Sequence, residues 1–199
     1  MRTNSRFITV AVLLLLMSTP FALHASEVTE KVRSTVDGII NILRDQSLNS
    51  PGKQEERRAR IRNLILERFS FEEMSKRSLA RHWRERSDKE KKEFVSLFSD
   101  LIENSYIEKI ERYTDEEIMY ADEKMSDGRA VVKTVIISKG NEIPIDYRLI
   151  KTTDDWMVYD IVIEGVSLVS NYRSQFSSTI RATSYEGLVI KLREKTGKQ

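Results

Sequence analysis

The stretch W-M-V-Y-D-I-V-I-E-G-V-S-L-V-S-N-Y-R-S-Q-F, Trp156 to Phe176, constrains the fold of this chain more than any other. Its first half alternates as a strand, with Met157, Tyr159, Ile161 and Ile163 on one face and Trp156, Val158, Asp160 and Val162 on the other. Both faces are largely apolar, so the strand is expected to be covered on both sides. Glu164-Gly165 then breaks the run, glycine permitting a tight change of direction. The pattern restarts after Ser167, a good N-cap residue, with Leu168, Tyr172, Phe176 and Ile180 at helical spacing. A covered strand feeding an amphipathic helix is where two layers of a domain meet.

The first 25 residues read as a leader and not as part of that domain. Arg2 and Arg6 precede an uncharged apolar run from Phe7 to Met17, Ser18-Thr19-Pro20 breaks it, and Leu23-His24-Ala25 offers a small-residue cleavage site after Ala25. The apolar run is well short of the ~18 to 20 residues that span a bilayer, and no Cys follows it to carry a lipid anchor. The expectation is a signal peptide over residues 1–25, a single domain over residues 26–199, and a periplasmic location. Arg2 and Arg6 also account for the formal net charge of +2, so the remainder is near neutral and has no global basic field for nucleic acid. Without cysteines, an exported domain must hold together by core burial.

Along the chain, Val28, Val32, Val36, Ile39, Ile40 and Leu43 form one helical stripe, expected to run to about Leu48 before Asn49-Ser50-Pro51-Gly52 stops it. A second helix is heavily charged, and Arg57, Arg58, Arg60 and Arg62 read as a solvated face interleaved with Glu55 and Glu56. Ser70 to Glu73 and Ser87 to Glu90 have the spacing of capping boxes. The second opens the longest helix, whose wide apolar face carries Phe94, Leu97, Phe98, Leu101, Ile102, Tyr106 and Ile110. From about Glu117 the period changes to 2, and short turns join four strands: 117–123, 129–138, 142–151 and 156–163. Pro144 suggests an edge or a bulge in the third. A final helix starts near Ser184. The expected class is α+β, a curved antiparallel four-stranded meander packed against several helices.

Little in this chain supports catalysis. His82 is the one histidine beyond the leader, Ser167 lacks the second glycine of a nucleophile elbow, and no glycine-rich phosphate loop or calcium-loop spacing occurs. Asp160 and Glu164 beside an apolar strand are expected to pair structurally, with Arg148 or Arg173. The expectation is a protein that is not an enzyme and needs neither metal nor cofactor. Apolar faces on both sheet and helices leave two outcomes open, a solid core or an enclosed pocket.

The residues themselves say more. Val158 to Phe176 resembles the signature of the MlaC family, also called the toluene-tolerance auxiliary family. The resemblance extends to Phe69–Ser75 with Trp83, to Phe94–Tyr106 with Tyr113, to Ile143–Leu149, and to Glu186-Gly187-Leu188 with Lys195. One departure is Leu79-Ala80, where the family commonly has Leu-Gly. The resemblance implies a nuclear-transport-factor-2-like sheet with added helices and a phospholipid held between the layers. It implies a periplasmic carrier, monomeric, that ferries phospholipid between an outer-membrane lipoprotein complex and an inner-membrane ABC transporter complex with its membrane-anchored substrate-binding subunit. Maintenance of outer-membrane lipid asymmetry would follow. The alternative is a non-catalytic periplasmic adaptor with a solid core that docks to the same complexes.

A carrier must enclose its cargo. Two acyl chains hold roughly 30 methylenes, each worth about 0.8 kcal/mol on removal from water, or about 25 kcal/mol gross. The phosphate should stay wet, because burying it unpaired is costly. Pocket residues expected on this basis are Val132, Thr134 and Ile136, Ile145, Tyr147 and Leu149 on the sheet. From the helices come Trp83, Phe98, Ile102, Tyr106, Val166, Leu168, Val169 and Tyr172, with Arg173 as a candidate charge at the mouth.

Overall fold

Four helices precede the sheet in a computed structural model that describes residues 26–113 and 116–198; the expected leader lies outside the described residues. Helix α1 (Glu27–Arg44) stops sooner than its apolar stripe suggests. Asp45 leaves helical geometry and its carboxylate caps a separate 3₁₀ turn, Gln46–Leu48. Helix α2 (Gln54–Arg68) follows, then α3 (Phe71–Leu79), whose first turn is capped by the Ser70 hydroxyl accepting from the Glu73 amide. Trp83 lies in a 3₁₀ turn, Ala80–Glu85, entered through Ala80 at φ 51° and ψ −120°. That backbone conformation favours glycine, the residue the family resemblance places there. Helix α4 (Asp88–Glu111) opens at a complete capping box formed by Ser87 and Glu90.

The arginines of α2 are only partly a solvated face: Arg60 is exposed and pairs with Glu56 of its own helix, but the others reach across to α4. Arg57 and Arg58 both pair with Glu111 of α4 at 2.8 Å, and Arg62 pairs with Glu103 of the same helix. Charge spacing alone could not show that α4 lies alongside.

Strands β1 (Glu117–Ser126), β2 (Arg129–Ser138), β3 (Asn141–Lys151) and β4 (Trp156–Ile163) form the antiparallel meander, and a two-residue β5 (Val166–Ser167) adds a fifth strand to the four expected. Three of the joints are two-residue turns with positive φ at both positions: Asp127-Gly128, Lys139-Gly140 and Glu164-Gly165. This is type I′ geometry, whose twist matches that of the strands. Pro144 marks no bulge, and an edge only locally, one residue past the last β3–β4 pair, Ile145 with Ile163. It sits in the central β3, in unbroken register with Val135. Its carbonyl accepts from Glu164 N in the β4–β5 turn, so its missing N–H faces the point where β4 ends.

Two register shifts change which side chains share a face. One makes Ala121 an extra residue in β1, and the other makes Tyr159 an extra residue in β4. A bulge inverts the alternation beyond it and bends the strand. Trp156 and Val158 therefore share a face with Ile161 and Ile163, whereas strict alternation placed them on opposite faces. Helices α5 (Leu168–Ala182) and α6 (Tyr185–Thr196) complete the chain, α5 starting at Ser167 as expected.

Two apolar clusters result. One lies among α3, α4, α5 and α6, around Phe94, Phe98, Phe176 and Leu188. The other lies between α1 and the sheet, around Val28, Val32, Val132, Leu149 and Trp156. Phe69 packs against both. It is held in place by a backbone bridge to Val158, with Ser70 N donating to the Val158 carbonyl at 2.9 Å.

Candidate functional site

Between the curved sheet and helices α1, α2 and α4 lies a cavity of about 620 Å³. Its walls follow from the elements just described. Helix α1 supplies Val32, Val36, Ile39, Ile40 and Leu43; α2 supplies Ile61 and Ile65; the second half of α4 supplies Ile102, Tyr106 and Ile110. The sheet contributes Ile118, Ile136, Ile143, Ile145, Tyr147, Val158, Ile161 and Ile163. Phe69, Phe71, Met74 and Leu168 close it where the helical layer begins. On β3 the lining runs Ile143, Ile145, Tyr147 and stops, because Leu149 is fully buried beneath α1. Tyr147 thus stands at the floor.

Charge gathers at the rim, with Arg62, Glu103, Lys109 and Arg112 on the helical side and Glu116 and Glu164 on the sheet side; the remaining charged lining residue, Arg68, is paired with Asp155 at 2.8 Å. Lys109 stands over the Tyr106 ring at 5.0 Å, a contact that keeps its ammonium at the water boundary. Burial pushes the Tyr147 hydroxyl up to about 12 and raises that of Tyr106. Both phenols therefore remain neutral at physiological pH and add no charge to the wall. Among the described residues no cluster of His, Asp or Glu could hold a metal ion, and no helix is long and apolar enough to cross a membrane.

The residues picked out from sequence fall in three places. Ile102, Tyr106, Ile136, Ile145, Tyr147 and Leu168 line the cavity. Trp83, Phe98, Val169 and Tyr172 pack instead in the helical cluster, where aromatic rings meet edge to face. Val132, Thr134 and Leu149 are on the cavity-facing side of the sheet but fully buried, and Thr134 donates its hydroxyl to the Ile145 carbonyl. Val166 is 60% exposed, because the β4–β5 turn carries it away from the cavity.

Arg173 is not at the mouth, and it does not pair with Asp160 or Glu164; its Nε donates to the Arg77 carbonyl at 2.8 Å. Asp160, 3% exposed, pairs with Arg148 at 3.1 Å. It also accepts from the Ser167 hydroxyl and the Val169 amide. The carboxylate thus ties β4 to the start of α5, and its lone pairs are used structurally.

The α1 stripe was the main omission from the expected pocket. Its signal was present: Ile39, Ile40 and Leu43 form a wide apolar face on one helix. The model of the MlaC protein family matches residues 33–194, so this cavity-bearing α+β domain belongs to the MlaC family. The intermembrane phospholipid transport system binding protein MlaC of Haemophilus influenzae is 23% identical over 140 residues, 67% of this chain and 65% of that relative. The chain thus matches slightly less than two thirds of the relative's length. The phospholipid-binding protein of Ralstonia solanacearum, solved in complex with a phospholipid, superposes with a TM-score of 0.78 at 23% identity. The match covers 86% of this chain and 98% of that one, and it shows that the two share a fold.

Proposed function

We propose that this protein is a non-catalytic periplasmic carrier that encloses the acyl chains of a phospholipid in the cavity and leaves the head group at the charged rim. It would receive and deliver its cargo at an outer-membrane lipoprotein complex and an inner-membrane ABC transporter complex. The observation that carries this reading is the cavity itself, mostly apolar along its walls and charged mainly at its rim. A dry void of about 620 Å³ would cost on the order of 15 kcal/mol at about 24 cal/mol per Å³. That equals or exceeds the whole stability of a typical domain, roughly 5–15 kcal/mol. Water would wet these walls poorly, whereas an acyl chain fills them and gains the transfer energy of its methylenes. Family membership and the phospholipid-related roles of the two relatives support the same reading. A solid-core adaptor does not account for a cavity of this size.

Protein purified from periplasm without added lipid should release phospholipid on solvent extraction, identified by mass spectrometry. A lipid-free native mass would overturn the reading. Ile102→Arg, on the α4 wall beside the rim, should leave the circular dichroism spectrum unchanged and remove the co-purifying lipid. A folded variant with full lipid content would argue against this cavity as the binding site.

A further inference from the structure

The Ala121 bulge turns Glu123 onto the same face as Val132 and Tyr147, against the first residues of α1. There the half-buried carboxylate accepts from the Ser26 hydroxyl, from the Thr29 amide at 3.0 Å and from the Thr29 hydroxyl at 2.5 Å. It forms no ion pair among the described residues. The acids of the first turn of α1 are engaged elsewhere, Glu27 with Lys31 at 3.7 Å and Glu30 with Arg33 at 3.2 Å. The positive end of α1 offsets part of the desolvation of Glu123, but no cation completes it.

Removal of the leader would supply one. Cleavage after Ala25 makes Ser26 the first residue, and the Ser26 nitrogen is only two carbons away from the hydroxyl already bonded to Glu123. We propose that Glu123 is a receptor for the new N-terminus, so that maturation at Ala25–Ser26 pins the first turn of α1 to β1 and fixes the helix that walls the cavity. In the step itself, water adds across the Ala25–Ser26 peptide bond under a signal peptidase. Ala25 leaves with the carboxylate, and Ser26 keeps the amine, which is largely protonated at neutral pH. In the precursor the same nitrogen is a neutral amide, and α1 is held without that charge.

The inference rests on the exported, leader-bearing reading of the chain, and N-terminal sequencing of periplasmic protein tests that part alone. A mature start other than Ser26 overturns the inference and leaves lipid binding untouched. The coupling is tested on residues 26–199 with a free or an acetylated Ser26 amine, each with and without Glu123→Gln. With Glu123 present, the free amine should raise the melting temperature by about 2–4 °C over the acetylated form. In Glu123→Gln the order should reverse, because an uncompensated ammonium faces the positive end of α1. The same difference in both backgrounds would overturn the proposal. If Glu123→Gln folds too poorly to measure, hydrogen exchange in the parent decides. The Thr29 and Glu30 amides should exchange roughly fivefold faster when Ser26 is acetylated, and equal rates would overturn the proposal.

Discussion

The two halves of this molecule are both strongly apolar, yet the helical half is packed solid and the sheet half is hollow. On the helical side, rings from α4 and α5 interlock. Phe94 meets Phe176 at 5.5 Å and 85°, and Phe98 meets Phe176 at 5.3 Å and 77°. Edge-to-face rings of this size fill the space between helices and leave no gap. On the sheet side the facing residues are mostly branched aliphatics on a sheet bent by two bulges. Helix α1 packs tightly there only at its start. Val28 and Val32 are buried against Ala130, Val132 and Trp156, while Ile39, Ile40 and Leu43 farther along remain only partly covered. A helix anchored at one end over a concave sheet encloses volume. Apolar composition therefore does not distinguish core from container; side-chain shape and backbone curvature do.

The largest effect that would test this contrast is expected from paired truncations. Phe98→Ala should cost about 3–5 kcal/mol in urea denaturation, since it opens a void in a filled core. Ile145→Ala should cost only about 1–2 kcal/mol in lipid-free protein, because its side chain already faces open volume and only the transfer contribution is lost. Equal costs would break the distinction between the two halves. Ile145→Ala should instead lower lipid retention, which Phe98→Ala should leave near normal in the folded fraction.

A smaller effect concerns the clamp that holds α2 against α4 on the hollow side. The Arg58 hydrogen bond holds the Glu111 carboxyl at about 2, against the opposing influence of burial and with help from Arg57. A carboxyl whose folded value is depressed stabilises the protein at pH above its unfolded value, near 4.5, and loses that contribution as pH falls through about 2. Discounted for solvent screening, Glu111→Gln should cost about 1 kcal/mol above pH 5. The difference from the parent should shrink steadily toward pH 2. A constant difference across that range would show that the clamp is not ionic.

The smallest effect sharpens the account of the solid side. Ala80 holds φ 51° at the start of the turn that buries Trp83. Ala80→Gly should relieve that backbone and raise stability by up to about 1 kcal/mol, the remainder being offset by the greater freedom of glycine in the unfolded chain. A loss of stability would mean that the alanine methyl group contributes packing that outweighs the strain.

Much of the fold was legible in the chain. The capping box at Ser87 and the cap at Ser167 form as their spacing predicts, Ser70 caps through its hydroxyl alone because its N–H goes to Val158, and the Asp-Gly, Lys-Gly and Glu-Gly pairs make the expected tight turns. The pairing of Asp160 with Arg148 was also readable, since a carboxylate in an apolar strand must find a partner. These are local matters, set by hydrogen bonds and backbone preferences within a few residues. The site was less legible. Ile136, Ile145 and Tyr147 line the cavity, but Val132, Thr134 and Leu149 on the same face are solidly buried, because where a cavity stops depends on what lies opposite.

The stretch from Trp156 to Phe176 divides along the same line. Its sequence by itself determined a strand, a tight turn at Glu164-Gly165 and a helix capped by Ser167, because those features arise from nearest neighbours. Only the tertiary structure decided that Tyr159 would bulge, that Trp156 and Val158 would turn to the face of Ile161 and Ile163, and that Tyr172 would enter the solid core while Leu168 met the cavity. The physical reason is that a bulge, a helix crossing and a cavity are set by contacts between segments distant in sequence, and no local periodicity records them.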